Sequence, residues 1–125
     1  MKIVMLGAGA LGSTIGGTLA IGGNDVHFVD MWQEHVDLIN KDGLHMTNEK
    51  EDWYVRVDAR TTADTIGEAD LVIVLVKSFA TKQAVEQLKQ TNVIGKNTLV
   101  MSLQNGLGNE ETIASVIGSE KCHQR

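Results

Sequence analysis

Six residues near the start of the chain, Gly7-Ala8-Gly9-Ala10-Leu11-Gly12, restrict its fold more than any other feature. They follow residues 2–6, a short continuous apolar run with β-branched members, the pattern of a strand buried on both faces. They open residues 10–22, where Leu11, Ile15 and Leu19 recur every four positions and line one face of a helix. A strand, a glycine turn and a helix in that order give each glycine a task. Gly7 permits the tight turn, Gly9 lets a ligand approach the backbone, and Gly12 lets the helix pack closely on the strand. The helix then points its unpaired amides and positive dipole end at whatever lies over the turn, which suits a phosphate.

The rest of the chain repeats this alternation. Gly22-Gly23-Asn24 ends the first helix, and 26–29 reads as a second strand closing on Asp30. Residues 32–41 have helical spacing (Trp32, Val36, Ile39), stopped by Asp42-Gly43. Residues 44–57 differ: residues 44–47 and 53–57 flank a polar turn, as in a β-hairpin or a small excursion from the fold. A short helical piece is expected at 62–66. Residues 71–76, LVIVLV, show no alternation and predict a central strand covered on both sides. Helix 79–88, strand 98–103 and helix 110–117 follow, and a further strand begins near Lys121. Strands alternating with helices imply parallel βαβ units. The expected fold is therefore α/β: a Rossmann-type, doubly wound, mainly parallel sheet with helices on both faces.

With 125 residues there is room for one compact domain, expected to be a dinucleotide-binding unit over residues 1–125. The last strand has barely begun at the end of the sequence, and a longer protein is expected. A net charge of −5, with scattered Lys and Arg, argues against a nucleic-acid surface. Cys122 is the one cysteine, so no internal disulfide forms, and the four histidines lack metal-ligand spacing. The glycines interrupt the N-terminal apolar run too early for a signal peptide, and no run is long enough to span a membrane. A cytoplasmic location is expected.

Asp30 stands about twenty residues beyond Gly7, where a carboxylate accepts hydrogen bonds from the hydroxyls of an adenosine ribose. It would repel a 2′-phosphate, and Val29-Asp30-Met31-Trp32 contains no cation to offset that, so NAD(H) is favoured over NADP(H). Asp30 can also cap the helix that follows. Lys77 follows the 71–76 strand, and Asn105 follows the 98–103 strand within Gln104-Asn105-Gly106-Leu107-Gly108. Both belong to the carboxyl edge of the sheet, where open α/β sheets bind ligands. A lysine and an asparagine there suit a carboxylate and a carbonyl or amide. Plain surface and turn roles remain open for both.

Together, GAGALGS, LVKSFAT and LQNGLGN resemble the ketopantoate reductase (2-dehydropantoate 2-reductase) family, over nearly the whole chain but only the family's N-terminal half. The resemblance implies an oxidoreductase that transfers hydride between a nicotinamide cofactor and a 2-oxo acid, ketopantoate or a related branched acid, in pantothenate biosynthesis. It implies that Lys77 and Asn105 face the nicotinamide and the acid as catalytic and cofactor-binding residues. It also implies that the general acid and the partner of the substrate carboxylate lie in a helical C-terminal domain beyond residue 125. Asp30 departs from the usual NADPH-linked pattern and is closer to the NAD-dependent D-2-hydroxyacid dehydrogenases of the same fold. A regulatory NAD(H)-sensing module without catalysis shares the opening turn and the acidic strand end, but has no evident use for Lys77 or Asn105.

The remaining polar and aromatic residues carry less. His27, His35, His45 and His123 read as structural or solvated. Trp32 suits either an adenine edge or the buried face of its helix. Met5, Met31, Met46 and Met101 read as core filler. No partner beyond the dinucleotide and a small 2-oxo acid is implied, neither nucleic acid nor membrane, and homo-oligomer formation is left open.

Overall fold

A computed structural model describes residues 1–7, 10–47, 50–75, 81–102 and 122–124. The apolar opening run forms β1 (Lys2–Leu6), and α1 (Ala10–Ile21) follows the glycine turn. Gly23, at φ +95°, ends that helix with a pair of bonds, Gly23 N–H to Ala20 O at 3.1 Å and Asn24 N–H to Leu19 O at 3.2 Å. Then come β2 (Asp25–Val29), α2 (Gln33–Asp42), the hairpin strands β3 (Leu44–Thr47) and β4 (Asp52–Val55), and β5 (Asp58–Arg60). The second half consists of β6 (Leu71–Val74), α3 (Thr81–Lys89), β7 (Leu99–Ser102) and β8 (Cys122–Gln124).

Six strands form one sheet in the order β5-β2-β1-β6-β7-β8, every pairing parallel. With the hairpin left out of the count, this is the 3-2-1-4-5-6 order of a doubly wound dinucleotide-binding sheet. The order reverses between β1 and β6, so the crevice of the fold opens at the carboxyl end of β1. The hairpin stands apart as an antiparallel pair, with Leu44 opposite Val55 and Thr47 opposite Asp52.

Two buried clusters cover the two faces of the sheet. One packs Val4, Leu6, Val72 and Val74 against Ala84, Val85 and Leu88 of α3. The other packs Ile3, Met5, Phe28 and Ile73 against Ile15 and Leu19 of α1, Val36 and Ile39 of α2, and Leu44 and Met46 of the hairpin. Glycines let α1 lie this close: a Cβ at Gly16 would come 2.3 Å from Phe28 Cζ, and one at Gly17 would come 2.3 Å from Met46 Sδ. Among the described residues, no helix is long and apolar enough to cross a membrane.

Several expectations need correction. Residues 62–66 form a turn with an Ile66 N–H to Ala63 O bond of 3.2 Å, a single i to i+3 closure that does not propagate into a helix. The strand β5 was not expected at all: it is short, charged at both ends, and buries only Ala59. Met31 is 60% exposed, outside the core, while Met5 and Met46 are buried as expected. Trp32 is 63% exposed and precedes the helix, so it does not occupy the helix's buried face. The expected helix at 110–117 lies outside the described residues.

Candidate functional site

The carboxyl ends of β1, β2 and β6 meet at the reversal point, and each ends in a hydrogen bond to its neighbour. Gly7 N–H donates to Val29 O at 2.9 Å, and Leu75 N–H donates to Leu6 O at 2.8 Å. Gly7 holds φ +112°, a backbone conformation that a Cβ disfavours, as the tight turn out of β1 requires. Three residues further on, Ala10 begins α1, so the unpaired amides of the helix start face this edge. Gly12 is packed against the turn: a Cβ on it would lie 2.6 Å from Gly7 O, and no rotamer change relieves a clash with backbone. This is the close strand–helix approach that the third glycine was expected to provide. Ala8 and Gly9 lie outside the described residues.

Asp30 marks the neighbouring strand end. Its N–H donates to Arg60 O at 2.9 Å, which ties it to β5. Its Oδ1 accepts the Trp32 N–H at 2.9 Å, a turn that orders the entry to α2 but is not the helix cap expected of it, since Trp32 is itself the N-cap residue and α2 has no side-chain cap bond. A carboxylate held this way stays at the edge of the sheet, half-buried. Beside it, Trp32 and His35 hold their rings 5.7 Å apart on the exposed start of α2.

Of the cations in residues 41–57, neither Lys41 nor Arg56 reaches this point. Lys41 instead lies in the last turn of α2, and Arg56 Nη1 donates to Asn40 O at 3.3 Å and Lys41 O at 3.1 Å. Both therefore lie at the end of α2 remote from Asp30, where cations complement the helix dipole. The Arg60 guanidinium is engaged by Asp58 Oδ2, 2.7 Å from Nε, and by Thr65 Oγ1. Burial alone would raise the Asp58 carboxyl, but hydrogen bonds from His27 and Arg60 outweigh it and hold the carboxyl below its ordinary value.

β6 and β7 run side by side, Val74 opposite Ser102, so the segments that leave them start from adjacent points of the same edge. Lys77 and Asn105 belong to those segments and lie outside the described residues. An open groove of about 490 Å³ runs between α1, α2 and the hairpin, from Ser13 and His35 near the helix starts to Leu38, Met46 and Tyr54. Among the described residues its lining includes Asp42 and no lysine or arginine, a poor chemistry for a pyrophosphate. No group of histidine, cysteine and acidic side chains suited to a metal ion occurs among the described residues.

Comparison with known proteins agrees with this architecture. The family model described as ketopantoate reductase PanE/ApbA matches residues 3–124. A 2-dehydropantoate 2-reductase of Pyrococcus abyssi is 43% identical over 113 residues, 90% of this chain and 36% of the relative. The crystal structure of a PanE/ApbA family ketopantoate reductase from Ralstonia eutropha superposes with a TM-score of 0.87 at 35% identity, over 99% of this chain and 40% of that one. A ternary structure of D-mandelate dehydrogenase with NADH and anilino(oxo)acetate gives a TM-score of 0.91 at 29% identity, with the same coverage. The chain thus spans little more than a third of the curated relative's length. In sequence and in fold alike, this chain belongs to the ketopantoate reductase PanE/ApbA family.

Proposed function

We propose that this chain is the cofactor-binding domain of a nicotinamide-dependent reductase of 2-oxo acids, ketopantoate or a related branched acid. The observation that carries the reading is the β1–Gly7–α1 unit at the reversal point of the sheet, with Asp30 closing the adjacent strand. The parts fit a dinucleotide. Gly12 brings the start of α1 against the turn, and the helix amides there can hold the pyrophosphate. Asp30 accepts from the ribose hydroxyls, which favours NADH over NADPH. Lys77 offers a positive charge to the substrate carboxylate, and Asn105 orients the carboxamide or the keto group. A bound nicotinamide supplies the hydride, and the protein's share is position and charge. Similarity to the NADH-bound D-mandelate dehydrogenase supports both the cofactor class and the class of acid.

The test is a calorimetric titration of the chain with NADH beside its Gly9→Val variant. Saturable binding by the parent, and none by a variant whose circular dichroism is unchanged, is the expected result. Equal affinity in the two would remove the glycine turn as the site.

A further inference from the structure

Asp30 is held from two sides, and the two sides are joined at one distant side chain. On one side, its N–H bonds Arg60 O of β5. On the other, its carboxylate bonds the Trp32 N–H at the entry to α2. β5 is an edge strand of three residues that, among the described residues, pairs with β2 alone, so pairing by itself fixes it weakly. Because the Arg60 carbonyl turns toward β2, the N–H and C=O of the preceding Ala59 turn outward, away from any strand. Asn40 of α2 occupies that outer edge. Its Nδ2 donates to Ala59 O at 2.8 Å, and its Oδ1 accepts the Ala59 N–H at 3.0 Å. One side-chain amide thus does the work of a missing strand, and its backbone partners fix which end is oxygen and which nitrogen.

The connections close a ring: Asp30 to Trp32, along α2 to Asn40, across to Ala59, one peptide to Arg60, and back to Asp30. Arg56 steadies the Asn40 corner by donating to the Asn40 and Lys41 carbonyls. We infer that Asn40 is a positioning residue for the dinucleotide site, acting through this ring to hold the Asp30 carboxylate where it meets the ribose. Asn40 itself touches no ligand in this scheme. Opened at Asn40, β5 keeps its pairing with β2 but loses these two hydrogen bonds to α2, and the carboxylate set between the two elements is held less firmly. The inference rests on the proposed dinucleotide site.

The experiment is a double-mutant cycle on the full 125-residue chain, with NADH as probe and affinity read by calorimetry below the melting transition of every form. Asn40→Ala is expected to weaken NADH binding about 3–10-fold, the range for one hydrogen bond's loss of function. In an Asp30→Ala background the same change is expected to do almost nothing further, because the group it positions is gone. If Asn40→Ala does not fold, Asn40→Ser is read in the same cycle. Undiminished affinity in Asn40→Ala, or a loss of equal size with and without Asp30, would overturn the positioning role and leave the site standing. Failure of the parent to bind NADH would overturn the site, and the role with it.

Discussion

Asp30 already orders the start of α2, so the question is whether it also selects the cofactor. Charge-assisted hydrogen bonds contribute about 1.5–3 kcal/mol, and each ~1.4 kcal/mol is a factor of ten in affinity. A preference for NADH over NADPH of at least about tenfold is therefore expected from the ratio of dissociation constants. Asp30→Ser should narrow that ratio and Asp30→Arg should reverse it, since the guanidinium pairs with a 2′-phosphate. Lys41 and Arg56 are remote from Asp30, which leaves Lys50 in the hairpin turn as the other cation of that stretch, and Lys50→Ala separates its contribution. An unmodified chain that binds NADPH as tightly as NADH would place the ribose elsewhere. Gly7, Gly12 and Asp30 were legible in the sequence because each answers a local demand of strand, turn or helix. Asn40 was not legible: its role depends on Ala59, which only tertiary structure brings to it.

At the scale of elements, the same contrast separates what periodicity shows from what it hides. β1 and β6 are unbroken apolar runs because both faces of a central parallel strand are covered, and they were read directly. β5 has no such run: an edge strand is half wet, and Asp58 and Arg60 bracket its one buried residue, Ala59. Its signal was the alternation itself, too short to distinguish from a loop. A side-chain hydrogen bond helps hold β5, for Asp58 Oδ2 lies 2.8 Å from His27 Nδ1 of β2, while within β5 the same oxygen lies 2.7 Å from Arg60 Nε. Asp58 is held below its ordinary value in the folded chain, so its ionised form favours folding. That contribution is present above the ordinary carboxylate range, near pH 4, and is lost as the pH falls through the lower folded value. Urea unfolding of parent and Asp58→Asn across that range is expected to show the parent losing stability more steeply on acidification. Parallel curves would mean that the ion pairs are immaterial to the fold.

For the whole molecule, an all-parallel six-stranded sheet puts every loop that follows a strand on one edge, and this concentrates the glycine turn, Asp30 and the exits of β6 and β7 there. The hairpin and the 490 Å³ groove beside it belong to the outer side of α1 and α2, a second place where a ligand could lodge. The central claim is therefore one of location, and a two-dimensional NMR titration of the chain with NADH tests it most directly. The largest amide shifts are expected at Gly7, Gly9, Gly12, Asp30 and Trp32, all saturating with one dissociation constant. Shifts centred on Thr14, Leu38, Met46 and Tyr54, with the glycine turn unmoved, would contradict it.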